Sequence, residues 1–212
     1  MKIAIFGASG ATGKLLVERA LAAGHTVAAL VRTPAAFPYS DSVRVIQGDV
    51  FALADVAETL QGADAVLSAL GARSWKREDV LERAVPVIIQ AMQEAHVSRI
   101  VVLGGASATS ASLQRQPAAI RWLLEHFLYN GLLKWPSQSQ RAQYAALSAS
   151  QLDWTMVMPP MLTNGPAKGH IRVDGETLPR QGNRISRADV ADFMLRELIA
   201  REWVRKGVYI SW

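Results

Sequence analysis

Residues Gly7-Ala8-Ser9-Gly10-Ala11-Thr12-Gly13 form a glycine-rich segment between two regular patterns. The apolar run 2–6 before it is typical of a buried strand, and residues 14–21 after it have the apolar spacing of a helix. In such a unit the glycines allow a sharp exit from the strand, close approach of a diphosphate and tight packing of the helix on the sheet. Free N–H groups at the helix N-terminus then favour an anion. The GxxGxxG spacing therefore predicts a dinucleotide site rather than a simple turn.

Further along the chain, short apolar runs alternate with helical patterns. Residues 25–31, 43–47, 64–70 and 98–103 are predicted strands, and 54–60 and 78–95 are predicted helices, the second of which contains Pro86. This alternation predicts an α/β fold with a doubly wound parallel sheet. Right-handed crossovers give the strand order 3-2-1-4-5, with later strands beside the fifth. We expect a single domain over residues 1–212, with a small substrate-side region at about 159–185.

Composition excludes several classes of function. The chain has 212 residues, half of them hydrophobic, and a net charge of +5 from scattered basic residues, which does not indicate nucleic-acid binding. It has no cysteine, so disulfides, thiolate catalysis and Cys-ligated metals are excluded, and its four histidines lack ligand spacing with carboxylates. No apolar run reaches the length of a membrane span, about 18 residues. We expect a cytoplasmic protein with no metal, no membrane segment and no nucleic-acid partner.

Residues after the second and third strands bear on the choice of cofactor. An NAD-specific fold carries Asp or Glu at the end of the second strand, whereas this chain has Arg32 followed by Thr33. Arg32 therefore favours NADP(H) over NAD(H), although an ordinary surface arginine remains the alternative. After the third strand, Asp49 and Val50 are placed to flank an adenine, and Asp49 is also a candidate N-cap for a helix beginning near Ala52. These two roles of Asp49 can coexist.

The chain resembles the atypical short-chain dehydrogenase/reductase family, in its NAD(P)H-binding (NmrA-like) branch with the biliverdin and flavin reductases. The resemblance covers nearly the whole chain and rests on residues 3–13, 30–32, 48–50, 65–73, 152–160 and 185–196. It implies a Rossmann fold and hydride transfer to a small planar aromatic acceptor, in a monomer or homodimer. The cofactor-binding residues that it implies are Gly7, Ser9, Gly10, Ala11, Thr12, Gly13, Arg32, Thr33, Asp49, Val50, Leu70, Gly71, Arg73, Gly104, Gln140, Pro159 and Met161.

The chain departs from the family at the catalytic positions. Larger relatives use a Tyr-x-x-x-Lys pair, in which the lysine lowers the tyrosine pKa. Counting back from residues 150–154 places the tyrosine position at Pro136 and the lysine position at Gln140. Tyr144 lies four residues further on but has Ser148 at the lysine spacing. The candidate catalytic residues are Ser107, Gln140 and Tyr144. Ser107 or Ala106 is the approximate counterpart of a serine in the biliverdin reductases, and Met161 stands where those proteins have a histidine.

Two further segments have several interpretations. Residues 117–135 form an unusually apolar helical segment, which is a lid over an apolar substrate, an interface or a part of the core. Residues 186–189 have the form of a capping box with Asp189 in place of Glu, which we interpret as structural.

Two main functions remain open. The first is an NADPH-dependent reductase of a flavin, quinone or tetrapyrrole, which can collect its proton from water. The second is a non-catalytic NADPH-binding redox sensor that acts through a protein partner. The missing Tyr and Lys favour the sensor, and the compact length without an appended module favours the enzyme. A sugar-nucleotide epimerase fits poorly because that chemistry needs the absent pair.

Overall fold

The computed structural model describes residues 1–71, 79–115, 118–123, 125–127, 131, 133–180 and 182–212. The strands are β1 (Lys2–Phe6), β2 (Thr26–Val31), β3 (Arg44–Gln47), β4 (Ala65–Ser68), β5 (Arg99–Leu103), β6 (Asp153–Met158), β7 (Met161–Thr163), β8 (Arg172–Asp174), β9 (Arg184–Ser186) and β10 (Lys206–Ser211). The α-helices are α1 (Ala11–Ala22), α2 (Leu53–Leu60), α3 (Val80–Glu94), α4 (Ala118–Leu123), α5 (Lys134–Ala149) and α6 (Arg187–Ala200). Short 3₁₀ turns span Pro34–Ala36, Ala106–Ala108 and Ser110–Leu113.

The main sheet has eight strands in the order β3-β2-β1-β4-β5-β6-β10-β8. All its pairs are parallel except β10 with β8, and β7 pairs with β9 in a separate parallel ribbon. This confirms the predicted doubly wound α/β fold and the order 3-2-1-4-5 with later strands beside the fifth. Because the order reverses between β1 and β4, their carboxyl ends leave a crevice where such folds bind ligands.

Helices cover both faces of this sheet. Successive residues of β1 point to opposite faces, so Ile3 and Ile5 pack towards α1 and α6, while Ala4 and Phe6 pack towards α2, α3 and α5. Burial on both faces explains why the strands are continuous apolar runs rather than alternating ones. No helix among the described residues is long and apolar enough to cross a bilayer.

Most predicted boundaries lie close to the observed ones. Gly24 and Gly62 follow α1 and α2 with φ of 75° and 66°, the left-handed conformation that suits glycine. Helix α3 runs through Pro86, and its predicted first residue, Glu78, lies outside the described residues. The predicted capping role of Asp49 is wrong, because Ala52 is the N-cap of α2. Asp49 instead accepts a hydrogen bond from the Phe51 N–H at 3.1 Å.

A buried ion pair joins the amino ends of β5 and β6 to the end of α6. Arg99 and Glu197 are 2% and 1% exposed, and Arg99 Nη2 donates to Glu197 Oε1 at 2.9 Å. Thr155 and the Trp203 N–H also donate to this carboxylate oxygen, at 3.1 and 2.9 Å. Burial lowers the pKa of the Arg99 guanidinium, and the neighbouring Glu197 carboxylate opposes that effect. Each charge therefore depends on the other for its solvation inside the protein.

Replacing Glu197 by glutamine tests this dependence. Glu197→Gln leaves the Arg99 charge buried without its partner, so we expect a loss of about 3–5 kcal/mol in the free energy of unfolding. The matched control is Asp192→Asn, which removes a carboxylate on the same helix that is 41% exposed and paired with Arg19 at 2.7 Å. That change should cost less than about 1 kcal/mol. Urea denaturation of the three proteins measures both values, and equal losses would contradict the assignment.

Candidate active site

The glycine segment is shaped by two close approaches of backbone to backbone. Gly7 has a φ of 75°, and a Cβ there would lie 2.8 Å from the carbonyl of Ala69, just after β4. A Cβ on Gly13 would lie 2.0 Å from the Gly7 carbonyl oxygen. Gly10 differs, because a Cβ on it would meet only the Gly7 oxygen at 3.2 Å. Gly7 and Gly13 therefore fix the turn against the sheet, whereas Gly10 keeps one side of it open.

The first turn of α1 presents backbone N–H groups that no side chain caps. Gly10 is the N-cap of α1, it has no side chain, and the first turn contains no acidic residue. The N–H groups at the start of a helix lack partners within the helix and carry partial positive charge. The Gly10 N–H donates to the Gly7 carbonyl at 3.0 Å, and the next residues, Ala11 and Thr12, line a cavity together with Gly10. The cradle that a Cβ on Gly10 would obstruct fits a diphosphate, and α1 would supply its hydrogen bonds.

That cavity has a volume of about 760 Å³ and lies at the carboxyl ends of β1, β4 and β5. The residues that line it are Gly7, Ser9, Gly10, Ala11, Thr12, Ala69, Leu70, Gly71, Leu103, Gly104, Leu133, Pro136, Gln140, Leu162 and Arg187. The structure thus brings together most of the predicted cofactor residues of the glycine segment with Leu70, Gly71, Gly104 and Gln140. Its volume lies within the range of small-molecule sites, about 300–1,000 Å³.

A second cavity of about 250 Å³ adjoins the first and shares Gly7, Ser9 and Leu70 with it. Its remaining lining residues are Phe6, Leu30, Val31, Arg32, Gly48, Asp49, Val50 and Val80. The predicted adenosine-side residues Arg32, Asp49 and Val50 therefore meet here, at the carboxyl ends of β2 and β3. Thr33 is exposed and does not line either cavity. Arg73 lies outside the described residues.

Gln140 reaches the larger cavity with its amide orientation set by neighbours. Gln143 is fully buried, and its Nε2 donates to the Leu103 carbonyl at 3.1 Å, which can only accept. The same Nε2 lies 3.4 Å from Gln140 Oε1, so the oxygen of Gln140 turns towards Gln143. The Gln140 NH₂ group is then the part available to the cavity. Pro136, at the tyrosine position, lines the same wall.

The other predicted catalytic residues do not line the cavity. The Tyr144 ring packs edge-on against Trp154, with 5.6 Å between centroids. Ser107 lies in the turn after β5, and a Cβ on Gly105 would lie 4.0 Å from the Ser107 Oγ and 3.7 Å from the Gln140 amide carbon. Pro159 is buried and its carbonyl accepts from the Ala106 N–H at 2.9 Å. Met161 is 63% exposed, and its neighbour Leu162 lines the cavity instead.

Arg187, the first residue of α6, lines the cavity although the sequence did not single it out. Its Nη1 donates to Asn164 Oδ1 at 2.8 Å. The adjacent capping box is as predicted, because Ser186 Oγ accepts from the Asp189 N–H at 3.0 Å. The sequence signal that could have identified Arg187 is a basic residue in the block 185–196, directly between β9 and α6.

Asp189 ties the loop that carries Asn164 to α6. Its carboxylate accepts from the N–H groups of Lys168 and Gly169, at 3.0 and 2.9 Å, and from Trp212 Nε1 at 2.8 Å. Burial alone would raise the pKa of Asp189, but hydrogen bonds from Ser186, Gly169 and Lys168 together hold that pKa below its usual value. Asp189 is therefore an acceptor at neutral pH, and it fixes the loop beside Arg187.

The apolar segment 117–135 is only partly described. Trp122, Leu123 and Phe127 are 56%, 51% and 64% exposed, so the core interpretation is wrong for these side chains. Trp122 stacks on His126 with 4.8 Å between ring centroids. Leu133, at the end of the segment, lines the larger cavity. Among the described residues, no cluster of three His, Asp or Glu side chains is arranged to hold a metal.

Comparisons with known proteins show the family of this chain. A family model for NAD(P)H-binding proteins matches residues 7–200. The uncharacterized protein YwnB of Bacillus subtilis is 36% identical over 108 residues, which cover 51% of this chain and 49% of YwnB, so the match spans about half of that relative.

Two solved structures share the fold over nearly their whole lengths. SP1627 of Streptococcus pneumoniae, assigned as an NADH-flavin reductase, has a TM-score of 0.77 and 26% identity, with 100% of this chain and 99% of SP1627 covered. ChuY of Escherichia coli O157:H7, an anaerobilin reductase, has a TM-score of 0.79 and 21% identity, with 100% of this chain and 97% of ChuY covered. At that identity the likeness to ChuY is one of fold.

Substitutions in the glycine segment should separate binding from folding. In Gly10→Val the new Cβ makes one tight contact, 3.2 Å from the Gly7 carbonyl oxygen, and the side chain occupies the cradle, so at least two charge-assisted hydrogen bonds to a diphosphate are lost. At about 1.5–3 kcal/mol each, NADPH affinity should fall at least about a hundredfold. Calorimetric titration with NADPH measures the loss, and thermal unfolding should show a protein close to wild type.

Gly13→Ala is the contrasting variant. Its Cβ would overlap the Gly7 carbonyl, so we expect a loss of about 1–3 kcal/mol in the free energy of unfolding.

A folded Gly10→Val protein with wild-type NADPH affinity would place the diphosphate elsewhere.

Proposed function

Because the chain belongs to the NAD(P)H-binding family, we propose that it is an NADPH-dependent reductase of a planar aromatic acceptor such as a flavin, a quinone or a tetrapyrrole. The larger cavity is the observation that carries the proposal. Its lining residues include both the glycine cradle and the apolar side chains of Leu133, Pro136 and Leu162. None of its described lining residues is a tyrosine, histidine or carboxylic acid placed to donate a proton.

Each part of the cofactor has residues that suit it. The N–H groups at the start of α1 would bind the diphosphate, and Asp49 and Val50 would border the adenosine in the smaller cavity. Arg32 would bind a 2′-phosphate, which favours NADP(H) over NAD(H). The NH₂ group of Gln140 would donate to a hydroxyl or carbonyl oxygen in the larger cavity. When bound, the nicotinamide group supplies the hydride.

The class of acceptor follows from the chemistry of this wall. Reduction of an isolated carbonyl needs a proton donor close to the oxygen, and the family positions for that donor and its lysine are Pro136 and Gln140. A flavin, quinone or tetrapyrrole spreads the added charge over a conjugated system and can take its proton from water. Apolar side chains suit the face of such a ring. The names of SP1627 and ChuY, a flavin and an anaerobilin reductase, point to the same acceptor class.

A non-catalytic redox sensor is the second candidate function. The replacement of the Tyr-x-x-x-Lys pair by Pro136 and Gln140 favours it, because a sensor needs cofactor binding without turnover. The open volume beside the cradle favours the reductase, because a sensor has no use for a second ligand there.

NADPH oxidation against a panel of acceptors decides between the two. We expect at least one of riboflavin, FMN, menadione and biliverdin to support turnover of about 1 s⁻¹ or faster, within the usual range of enzymes. The Gly10→Val protein is the control for contaminating reductases, because it should lose this activity together with NADPH binding. Tight NADPH binding by the wild type with no oxidation above that control would favour the sensor.

Arg32 provides a test of cofactor preference. A charge-assisted hydrogen bond contributes about 1.5–3 kcal/mol, and the exposure of Arg32 should hold the effect near the lower value, about tenfold in affinity. We therefore expect Arg32→Ala to weaken NADPH about tenfold while NADH binding stays unchanged. Titrations of both cofactors against both proteins, repeated at higher salt, measure the effect. Equal losses for the two cofactors would mean that Arg32 contacts the adenine and not the 2′-phosphate.

A further inference from the structure

Arg187 is the sole charged side chain among the described residues that line the larger cavity. It is half-buried, and no carboxylate of the described residues lies within ion-pair distance of it. Most other arginines that are packed into this fold have such a partner or backbone acceptors, as Arg99 has. A cation that lines a cavity and keeps its charge uncompensated is suited to an anionic ligand.

The guanidinium is held in place without being neutralised. Asn164 Oδ1 accepts one hydrogen bond from Arg187 at 2.8 Å, which orients the group but contributes no charge. Asn164 itself belongs to the loop that Asp189 ties to α6 through the N–H groups of Lys168 and Gly169. A guanidinium has five N–H donors in a fixed planar arrangement. After the bond to Asn164, it retains donors for two oxygens of one carboxylate or phosphate.

The anionic groups of the cofactor already have other sites. The uncapped start of α1 suits the diphosphate, and Arg32 lies in the separate smaller cavity that suits the adenosine ribose. Arg187 lines the larger cavity, which contains the start of α1 and also the apolar side chains of Leu133, Pro136 and Leu162. A planar ring would pack against these apolar side chains, and an acidic substituent on that ring would bind Arg187.

We propose that Arg187 binds a carboxylate or phosphate group carried by the acceptor, so that the site selects anionic planar acceptors over neutral ones with the same ring. The inference rests on the proposed reductase function and adds the substrate class that this function leaves open. Arg187 is then a specificity-determining residue, and Asn164 positions it.

Pairs of acceptors that share one ring system and differ in an acidic group test the inference. FMN and riboflavin share one ring system, and FMN adds a phosphate; biliverdin and its dimethyl ester differ by two carboxylates. Dissociation constants come from quenching of flavin fluorescence and from bilin absorbance, and KM values from NADPH oxidation. For the wild type we expect the charged member of at least one pair to bind about three- to tenfold more tightly, a range reduced by the partial exposure of Arg187.

Three variants locate the origin of that preference. Arg187→Gln should abolish it while changing the riboflavin and NADPH affinities less than about twofold. Asn164→Asp should abolish it as well, because it places a competing carboxylate against an intact Arg187. Arg196→Gln is the matched control, since it removes the same charge from an exposed position of α6 that lines neither cavity. It should keep the wild-type preference.

Each other outcome has a definite meaning. Loss of NADPH affinity in Arg187→Gln with the preference retained would assign Arg187 to the cofactor and overturn the inference. Equal losses for both members of a pair, or no preference in the wild type, would overturn it too. A preference confined to the bilin pair assigns a carboxylate, and one confined to the flavin pair assigns a phosphate. Absence of any turnover defeats the proposed function, while the binding constants still decide the role of Arg187.

Discussion

The contact between Gly13 and the carbonyl of Gly7 is the constraint on which the site depends. Because no side chain fits between them, the first turn of α1 lies directly over the exit of β1, and Gly7 in turn lies against the backbone after β4. This places the helix N-terminus at the point where the strand order reverses. Both cavities lie at that point and share Gly7 and Ser9, so this backbone contact helps to shape both of them.

The larger cavity combines this fixed cradle with a wall that contains Pro136 and Gln140, at the positions of the Tyr-x-x-x-Lys pair of the larger relatives. A lysine at position 140 would carry a charge able to lower the pKa of a neighbouring tyrosine, whereas an amide has none to offer. The buried Gln143 and the Leu103 carbonyl orient the Gln140 amide, so the position retains a hydrogen-bond donor without an acid. Under the proposed function this wall contributes by positioning the ring, and the solvent supplies the proton.

The sequence predicted those features that depend on local pattern. Strand β1 has its predicted bounds because it is a continuous apolar run closed by a glycine, and the Ser186 cap follows from spacing along one helix. Features set by tertiary contacts were missed. Asp49 does not cap α2, because a turn from Asp49 to Ala52 separates it from the helix and the Asp55 carboxylate accepts the Asp49 N–H. Tyr144 is one helical repeat beyond Gln140, about 6 Å further along the axis, and that shift removes it from the cavity.

Helix α6 carries a buried ion pair near its end and the cavity-lining Arg187 at its start. At its end, Glu197 is buried with Arg99 beneath the amino ends of β5 and β6, and at its start Arg187 meets the cavity at the opposite edge of the sheet. Arg187 and Glu197 are ten positions apart, which is about 15 Å along the helix. The Arg99–Glu197 ion pair has all its partners inside the protein. Arg187 is oriented by Asn164, and no carboxylate of the described residues compensates its charge. Under the proposed function, substitutions at the cavity end can therefore alter which acceptor is bound without removing a contact on which the core depends.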